Sequence, residues 1–421
     1  MKYARPRGTQ DILPPDVYVW RYVEGVFDET FQRFGYDPVR TPIFESTDLF
    51  LRSVGEGTDI VSKEMYTFTD RGGRSVTLRP ENTASVIRAY LESGMHRRGG
   101  ITRLSYTGPM FRYDRPQAGR YRQFHQVGVE AIGSLNPALD VEVIDVVMSG
   151  LERLGFTDLS VKVNSVGCRV CRGAYADVLR EALDAVSGEL CDDCTERSRR
   201  NPMRVFDCKT CTGVAERLPR IPDHLCQECD AHFEQVRSLL RTVDRTYEHD
   251  PTLVRGLDYY TKTAFEIVHG SLGAQNALCG GGRYDDLIQQ CGGPDTPAVG
   301  FSAGLERIIS VLPASAAAEN TPVARADVYV ACADDASAGR ALRTATTLRC
   351  YGRVEVDVSM RSLKKQLKNA EKSGAGVTVI VERDTPEAVK WKDMAARTQV
   401  DVPEGELAAH AERHLDGGKR R

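Results

Sequence analysis

An arginine-rich stretch, residues 106–132, constrains the fold more strongly than any other part of the chain. It reads YTGPMFRYDRPQAGRYRQFHQVGVEAI, which predicts a strand, a basic loop and a return strand. Its loop and flanks carry Arg112, Arg115, Arg120 and Arg122 within eleven residues. Such a density of positive charge is unusual for a hairpin tip, and it predicts contact with an anionic ligand.

The return strand of this hairpin carries a mixed set of polar side chains. A period of two places Arg122, Phe124, Gln126 and Glu130 on one face, and Gly128 leaves room between them. This face can neutralise phosphate, stack on a base and hold an amino or imidazole group, so it predicts a site that uses a nucleotide. The alternative is a solvated basic hairpin, which gives the aromatic ring and the glycine no role.

Length and charge limit the class of protein. A chain of 421 residues exceeds one ordinary core, and about 150 residues per domain predicts two or three domains. The formal charge of −3 gives no global attraction to nucleic acid, so such binding must come from local patches. The N-terminus lacks the apolar segment of a signal peptide, and no window approaches the roughly 20 apolar residues of a membrane span. By default we predict a cytoplasmic location and no membrane partner.

Helix and strand patterns divide the chain into a discontinuous domain and a C-terminal domain. Amphipathic helices are predicted over 14–35 and 137–155, and a further helix over 82–93. Pro38 with Pro42 predicts an extended strand after the first helix. From 327 onward, strands alternate with helices, which predicts a small α/β domain with a parallel or mostly parallel sheet. The predicted limits are 1–167 and 248–312 for the two parts of the first domain, 168–247 for an inserted module, 313–326 for a linker and 327–421 for the last domain.

Eight of the twelve cysteines lie in four Cys-x-x-Cys pairs within the inserted module. They are Cys168, Cys171, Cys191, Cys194, Cys208, Cys211, Cys226 and Cys229. In a reducing compartment this pattern indicates metal rather than disulfides, and separations of 19, 13 and 14 residues fit tetrathiolate sites for one or two zinc ions. Free thiols are the alternative, and the spacing leaves open which pairs share an ion.

Three other stretches supply candidate ligand-binding side chains. TLRPENTA carries Glu81 and Thr83 at a strand-to-helix turn, where they could hold an ammonium group, although Glu81 could instead be a carboxylate that favours the helix start. GFSAGLER ends in Arg307, one helical turn after small residues that leave space for a flat ligand.

LVRGLDYYTKTAFE carries Arg255, Tyr259 and Tyr260, with Gly256 allowing close backbone approach. The two tyrosines could equally be ordinary strand residues, one buried and one exposed. The glycines of GGGRY, residues 280–284, give a weak signal for a phosphate loop, which a tight turn would explain about as well.

Taken together, these stretches resemble the histidyl-tRNA synthetase family of class II aminoacyl-tRNA synthetases. FRYDRPQAGRYRQF is similar to the second motif of the class, GFSAGLER to its third, and residues 15–44 to its first, which builds a homodimer interface. RGTQDILP, TLRPENTA, RGLDYYT and GGGRYDDL resemble stretches particular to the histidine enzyme. The resemblance implies an α+β catalytic domain with an antiparallel sheet, an inserted helical, cysteine-rich module and a C-terminal α/β anticodon-binding domain.

The resemblance also implies a role for each site residue. ATP, used with Mg2+, is expected on Arg112, Asp114, Arg120, Phe124 and Arg307. L-Histidine is expected on Glu81, Thr83, Gln126, Glu130, Arg255, Tyr259, Tyr260 and Tyr284. Arg255, Arg112 and Arg307 are the expected catalytic residues, and Arg115 and Gln117 are expected to meet the acceptor end of the tRNA. Asp114 stands where the family commonly has Glu, and Asn82 where it commonly has Gly, so contacts at those positions are less certain.

The activity implied is a histidine–tRNA ligase, which forms histidyl-adenylate and transfers histidine to the 3′ end of tRNA(His). The alternative is a catalytically silent paralogue that serves as a regulatory subunit of histidine biosynthesis. Such paralogues typically lose the ATP-binding arginines or the C-terminal domain, and this chain has both. In the C-terminal domain, a basic helix is a candidate RNA contact, although a solvated face is the alternative. Its basic residues are Arg361, Lys364, Lys365, Lys368 and Lys372.

Overall fold

A large, mostly antiparallel sheet organises the first of two units. The computed structural model describes residues 3–55, 58, 60–115, 119–271, 277–314, 316, 326–358 and 361–415. Its two units are Met1–Pro322 and Val323–Arg421. Most of the predicted linker, 313–326, lies outside the described residues.

The sheet of the first unit has eight described strands. They are β1 (Asp37–Pro38), β5 (Thr102–Phe111), β6 (Gln123–Ile132), β7 (Leu159–Ser165), β8 (Tyr247–His249), β9 (Thr261–His269), β10 (Ala277–Arg283) and β11 (Ala298–Gly304). Their order is β1-β5-β6-β11-β10-β9-β7-β8, and the pairs are antiparallel except β1 with β5 and β7 with β8 at the two edges. The antiparallel sheet predicted for the catalytic domain is therefore confirmed.

The arginine-rich hairpin lies near one edge of this sheet and is formed by β5 and β6. A second, three-stranded sheet contains β2 (Phe44–Ser46), β3 (Tyr66–Thr69) and β4 (Ser75–Leu78), with β4 in the centre. The helices of this unit are α1 (Asp16–Arg33), α2 (Thr47–Val54), α3 (Thr83–Glu92), α4 (Pro137–Arg153), α5 (Arg169–Ala185), α6 (Asp192–Arg200), α7 (Thr212–Ala215), α8 (Gln227–Thr242), α9 (Leu287–Gln290) and α10 (Leu305–Ser310).

The main core lies between the large sheet and helices α1, α4 and α8. Helix α1 buries Val23, Phe27 and Phe31, which recur every four residues and so face the sheet together. Helix α4 begins at Pro137 and is capped by Asn136, whose side chain accepts a hydrogen bond from the backbone N–H of Ala138. These helices cover one face of the sheet, which leaves the other face to carry polar groups.

Three predictions about local structure in this unit are wrong. The glycines at 280–282 form neither a phosphate loop nor a tight turn, because they lie inside the central strand β10. Tyr259 and Tyr260 are not strand residues with alternating exposure: both are buried, and the strand begins only at Thr261. Helix α2 also begins within the stretch predicted as extended, because Pro38 and Pro42 exclude a helix only as far as their own positions.

The second unit is a mixed α/β domain. Its strands are β12 (Val328–Cys332), β13 (Val354–Val356), β14 (Val377–Val381), β15 (Ala388–Asp393) and β16 (Gln399–Pro403), in the order β13-β12-β14-β15-β16. Its helices are α11 (Ala338–Leu348), α12 (Leu363–Ser373) and α13 (Leu407–Leu415). The α/β class is confirmed. The prediction of a parallel or mostly parallel sheet is wrong, because β15 and β16 add two antiparallel pairings to the two parallel ones.

No helix among the described residues is long and apolar enough to cross a membrane.

Candidate active site

A cavity of about 620 Å³ opens over strands β6, β10 and β11 in the first unit. Eleven of the predicted site residues line it, drawn from four separate stretches of the sequence. They are Glu81, Thr83, Arg112, Asp114, Arg120, Phe124, Gln126, Arg255, Tyr259, Tyr260 and Arg307. The fold therefore brings the hairpin, the 81–83 turn, the 255–260 loop and the start of α10 to one place.

One end of this cavity collects guanidinium groups. Arg112 donates from Nε to the backbone oxygen of Pro80 at 2.9 Å, and its guanidinium lies 5.3 Å from the ring centre of Phe124. Arg307 donates from Nη1 to the backbone oxygen of Ala277 at 2.8 Å. Burial lowers the pKa of Arg307, and the nearby charges of Arg120 and Arg112 lower it further. We call Arg112, Arg120 and Arg307 the arginine end of the cavity. Its positive charges lie close together, and a bound polyphosphate would neutralise them.

Arg255 lies over the glycine strand β10, and that strand explains its position. A Cβ atom at Gly280 would sit 1.8 Å from Nη2 of Arg255, so only glycine leaves space for the guanidinium. Arg255 also pairs with Glu266 on β9. Although burial acts against its charge, Glu266 raises the pKa of Arg255. The glycines thus provide a flat floor on which a cation is held.

The other end of the cavity carries buried carboxyl groups. Glu81 accepts hydrogen bonds from the backbone N–H groups of Thr83 and Ala84 at 2.7 and 2.9 Å, so its reading as a helix-start carboxylate is confirmed. It also lines the cavity, which keeps the binding role open. Burial raises the pKa of Glu81, while those two N–H groups lower it.

Glu130 and Tyr284 lie behind this wall rather than on it. Glu130 is fully buried and accepts hydrogen bonds from the hydroxyl of Thr83, at 2.7 Å, and from that of Tyr284. Burial raises the pKa of Glu130 to about 8. Its influence on a ligand therefore passes through Thr83, whose hydroxyl it orients. We call Glu81, Thr83, Glu130 and Tyr284 the carboxyl end.

Between the two ends, Gln126 offers an unused acceptor. Its amide nitrogen donates to Ser302 at 3.3 Å, while its Oε1 is buried without a hydrogen-bond partner among the residues that the structure describes. A buried orphan acceptor on a cavity wall is costly unless a ligand donates to it. The room that Gly128 was expected to leave for a ligand is taken by the ring of Tyr106, which lies 2.5 Å from where a Cβ would stand.

The loop of the hairpin is only partly described. Asp114 accepts from Arg120 Nη1 at 3.0 Å and from the backbone N–H of Arg115 at 2.6 Å. Arg115 is not on the cavity wall, and Gln117 lies outside the described residues. Arg122, predicted to share a face with Phe124, instead stacks on Tyr113 with its guanidinium 3.8 Å from the ring centre.

Among the residues of the cavity wall that sequence reasoning missed, four charged ones come from the cysteine-rich stretch. They are Arg197, Arg204, Asp207 and Lys209. Arg204 donates from Nη1 to the backbone oxygen of Gly256 at 2.9 Å and pairs with Asp207 at 2.9 Å. No local pattern marks them, because a charged residue on a helical segment reads as solvated until its neighbours are known.

The eight paired cysteines form two groups of four. The outer cysteine cluster is Cys168, Cys171, Cys226 and Cys229, and the inner cysteine cluster is Cys191, Cys194, Cys208 and Cys211. In each cluster the Sγ atoms lie within 4.8 Å of one another. All eight thiols are free rather than disulfide-bonded. The structure thus fixes the pairing that the spacing left open.

Hydrogen bonds to sulfur suit these clusters to a cation. Cys191 N–H donates to Cys211 Sγ at 3.3 Å, and Cys226 N–H donates to Cys171 Sγ at 3.1 Å. Burial raises the pKa of Cys171 and of Cys211, whereas the backbone N–H of Cys229 lowers the pKa of Cys226 to about 7. Such bonds favour thiolates, the form that binds metal.

Comparisons with known proteins agree with this arrangement. A family model described as histidyl-tRNA synthetase matches residues 8–308, and one described as an anticodon binding domain matches 327–413. The histidine–tRNA ligase of Halothermothrix orenii is 48% identical over 409 residues, covering 96% of this chain and 97% of the relative. A crystal structure of apo Staphylococcus aureus histidyl-tRNA synthetase has a TM-score of 0.79 at 37% identity, covering 97% of this chain and 100% of that one.

A third match concerns the regulatory alternative. A Bacillus halodurans structure described as an ATP phosphoribosyltransferase regulatory subunit/histidyl-tRNA synthetase has a TM-score of 0.68 at 22% identity, covering 91% of this chain and 99% of that one. At that identity the likeness shows the shared fold alone.

The antiparallel sheet, with an arginine-bearing hairpin and a terminal-helix arginine meeting at one cavity, defines a class II aminoacyl-tRNA synthetase. Within that class, the match over 8–308 and the full-length relatives are specific to one amino acid. The chain belongs to the histidyl-tRNA synthetase family.

Proposed function

We propose that this chain is the histidine–tRNA ligase that activates L-histidine with ATP in the large cavity and then transfers it to tRNA(His). Aminoacyl-tRNA ligase activity follows from membership in the family. The observation that carries the site assignment is the convergence of an arginine end and a carboxyl end on one cavity. Such a cavity suits a substrate pair in which one partner is a polyphosphate and the other an amino acid.

ATP occupies the arginine end in this proposal. Arg112, Arg120 and Arg307 neutralise the phosphates, and the adenine stacks on Phe124, whose ring already carries the guanidinium of Arg112 on one side. In this class the nucleotide is used with Mg2+. Asp114 acts by holding Arg120 in place.

L-Histidine occupies the carboxyl end in this proposal. Its ammonium group meets Glu81, the hydroxyl of Thr83 and the orphan Oε1 of Gln126. Its imidazole lies against Tyr259 and Tyr260, whose rings are 4.8 Å apart. Glu130 and Tyr284 support this wall from behind through Thr83. An apolar amino acid would leave several of these buried groups without a hydrogen-bond partner, so the site discriminates strongly against apolar amino acids.

The chemistry needs positioning and charge rather than a general base. The carboxylate of histidine is ionised at neutral pH, so it can attack the α-phosphorus of ATP directly. A bond forms between that oxygen and phosphorus, the α–β anhydride bond breaks, and pyrophosphate leaves. Arg255 stabilises the charge that develops on the α-phosphate, because Gly280 and Glu266 fix it above the sheet. The terminal hydroxyl of the tRNA then takes the histidyl group, and AMP leaves.

Both cysteine clusters fit structural zinc. A tetrahedral site with Zn–S bonds of about 2.3 Å places its sulfurs about 3.8 Å apart. The Sγ atoms of Cys168 and Cys171 are 3.6 Å apart, and those of Cys191 and Cys208 are 3.7 Å apart. We therefore propose one zinc ion per cluster. Metal analysis of the purified chain should give about two zinc ions per chain, and a value well below one would remove the proposal.

Two further partners are proposed on surface features. Large apolar side chains are exposed near β2, with Ile43 at 44% and Phe44 at 52%, and they suit a homodimer interface. Basic side chains on and just before α12 are exposed and suit the anticodon stem of the tRNA. They are Arg361, Lys364, Lys365, Lys368 and Lys372. Arg115 and Gln117 are proposed to meet the acceptor end.

ATP–pyrophosphate exchange, measured with each amino acid in turn, tests the assignment. Exchange should depend on L-histidine and should be followed by charging of tRNA(His). A chain that binds histidine but exchanges no pyrophosphate would favour the regulatory alternative. The arginine end speaks against that alternative, since Arg112, Arg120, Arg255 and Arg307 all line the cavity.

A further inference from the structure

The inner cysteine cluster encloses the segment that supplies the unexpected wall of the large cavity. Between Cys194 and Cys208 the chain forms most of α6 and the helical turn Pro202–Asp207. Arg197, Arg204 and Asp207 lie between these cysteines, and Lys209 lies between Cys208 and Cys211. The four ligand positions thus anchor both ends of a piece of the active site.

Hydrogen bonds join this segment to the loop that carries Arg255. Arg204 donates to the backbone oxygen of Gly256 at 2.9 Å, and the side-chain nitrogen of Asn201 donates to Asp258 Oδ1 at 2.7 Å. The residues that follow Arg255 in the loop therefore depend on where the segment lies. Asp207 pairs with Arg204 at 2.9 Å and so holds the guanidinium that reaches Gly256.

The segment has little apolar burial of its own. In α6, DDCTERSRR, the one buried side chain is Cys194. The turn that follows buries Pro202 and Val205. A helix of nine residues with so little apolar contact is marginal alone, so the thiols must supply much of what holds it.

The outer cysteine cluster lies in a different environment. Its helices bury several apolar side chains each. On α8, Phe233, Val236 and Leu240 lie in the main core, and on α5, Tyr175, Leu179 and Leu183 pack in a smaller core that also contains Val205, Cys194 and Cys211. Neither helix supplies a residue to the large cavity. Arg172 of α5 does donate to the backbone oxygen of Asp258 at 3.0 Å, but three fully buried apolar side chains, Tyr175, Leu179 and Leu183, also hold that helix in place.

We propose that the metal at the inner cysteine cluster positions the active site, by holding the 194–209 segment against the 255–258 loop, whereas the metal at the outer cluster mainly stabilises the fold. Arg204, Asn201 and Asp207 are positioning residues for Arg255. The inference rests on the proposed ligase activity and zinc binding, and it adds a division of labour between two sites of the same chemistry.

Cysteine-to-serine variants of the full-length chain test this division. Cys191→Ser removes an inner ligand that does not line the cavity, Cys226→Ser removes an outer ligand, and Cys350→Ser changes an exposed cysteine of the second unit as a control. Zinc per chain, histidine-dependent pyrophosphate exchange at 25 °C, thermal unfolding and hydrogen exchange of the 254–260 backbone are measured on each.

The inner variant should lose about one zinc ion and slow pyrophosphate exchange by roughly 30-fold or more, mainly through kcat. Its 254–260 backbone should exchange hydrogen faster. The outer variant should lose the same amount of zinc and unfold at a lower temperature, with a fall in exchange rate several-fold smaller. The Cys350→Ser control should match the unmodified chain in all four measurements.

Several outcomes would contradict the proposal in distinguishable ways. An inner variant that loses zinc but keeps its exchange rate overturns the positioning role. Equal losses of activity in the inner and outer variants overturn the division of labour. An unmodified chain without zinc overturns the zinc proposal instead, and one without histidine-dependent exchange overturns the ligase assignment.

A second variant covers the case in which Cys191→Ser fails to fold. Asn201→Ala cuts the bond to Asp258 and leaves all eight thiols in place. It should keep both zinc ions and its thermal stability, lower kcat of exchange roughly 5-fold and loosen the 254–260 backbone. Unchanged kcat together with unchanged hydrogen exchange in this variant would refute the link between the segment and the loop.

Discussion

The arginine end and the carboxyl end of the cavity both hold like charges close together, but they respond to it differently. At the arginine end, burial, Arg120 and Arg112 lower the pKa of Arg307, yet a guanidinium stays charged at any physiological pH. At the carboxyl end, burial and nearby Glu81 raise the pKa of Glu130 to about 8, so this group takes up a proton instead. The arginine end therefore keeps the repulsion between its positive charges. At the carboxyl end, protonation of Glu130 removes the repulsion between Glu130 and Glu81.

Because of this difference, ligand affinity at the two ends should depend on different solution conditions. Binding of a polyphosphate relieves repulsion among fixed positive charges, so affinity at the arginine end should depend on salt rather than on pH. Binding of an ammonium group favours ionised carboxyl groups, so affinity at the carboxyl end should depend on pH. The predictions below run from the largest expected effect to the smallest.

The first prediction concerns the residue that lies between the two ends. Arg255→Ala should lower the rate of histidine-dependent pyrophosphate exchange roughly 10³-fold, because it removes the cation fixed at the reacting phosphorus. Arg255→Lys, which keeps the charge but not the planar fork, should recover only part of that loss. A fall of less than 10-fold in the alanine variant would show that the site does not rely on this cation.

The second prediction concerns the floor beneath Arg255. Gly280→Ala places a Cβ 1.8 Å from Nη2 of Arg255, so the guanidinium must move. We expect pyrophosphate exchange to fall roughly 10²-fold, since a displacement of about 1 Å at a reacting centre costs that much. Gly25→Ala on helix α1, where the new Cβ meets nothing within 4 Å, is the matched control and should keep its activity.

The third prediction separates the two ends by their substrates. Arg307→Ala should raise KM for ATP by roughly 10- to 100-fold while changing KM for histidine little, because one charged hydrogen bond contributes about 1.5–3 kcal/mol. Glu81→Gln should do the reverse. Steady-state exchange kinetics in both substrates check this, and a variant that raises both KM values equally would contradict the division of the cavity.

The fourth prediction is the smallest and follows from Glu130. Its pKa in the folded chain, about 8, lies above the ordinary value of 4.5, so the folded state binds more protons than the unfolded state between those pH values. The stabilising contribution of the protonated group is therefore complete below about pH 4.5 and is lost as the pH rises through 8. The ligand-free Glu130→Gln variant should lose less stability than the unmodified chain over that range, as measured by denaturant unfolding.

Much of the site was readable from the sequence because its signals are local. A period of two along β6 was enough to predict that Phe124 and Gln126 would meet a ligand face, and both line the cavity. The motif stretches also identified Glu81, Arg255 and Arg307, since each combines an unusual side chain with neighbouring small or turn-forming residues. The C-terminal α/β domain was predicted for the same reason, whereas the antiparallel sheet of the α+β catalytic domain was implied by the family resemblance.

What the sequence could not provide depends on contacts between distant segments. The glycines at 280–282 indicate a turn when read locally. A glycine strand in the middle of a sheet is explained only by its neighbours, because a Cβ would meet Arg255 at Gly280, Phe265 at Gly281 and Tyr260 at Gly282. No local pattern predicted the roles of Arg204 and Asp207, because they interact with Gly256 and Arg255, which lie some fifty residues away in the sequence. The depth of Glu130 behind Thr83 likewise follows from the packing of β6 against β11.

The two cysteine clusters are nested in the sequence, and nesting has a consequence for how the module assembles. Thirteen residues separate Cys194 from Cys208, whereas 54 separate Cys171 from Cys226. Closing the longer loop in an unfolded chain costs about 1 kcal/mol more. A metal-free chain supplied with limiting zinc should therefore fill the inner site first, and the closed inner loop then shortens the free chain that the outer site must span. The segment that lines the active site would therefore become ordered before the outer cysteine cluster does.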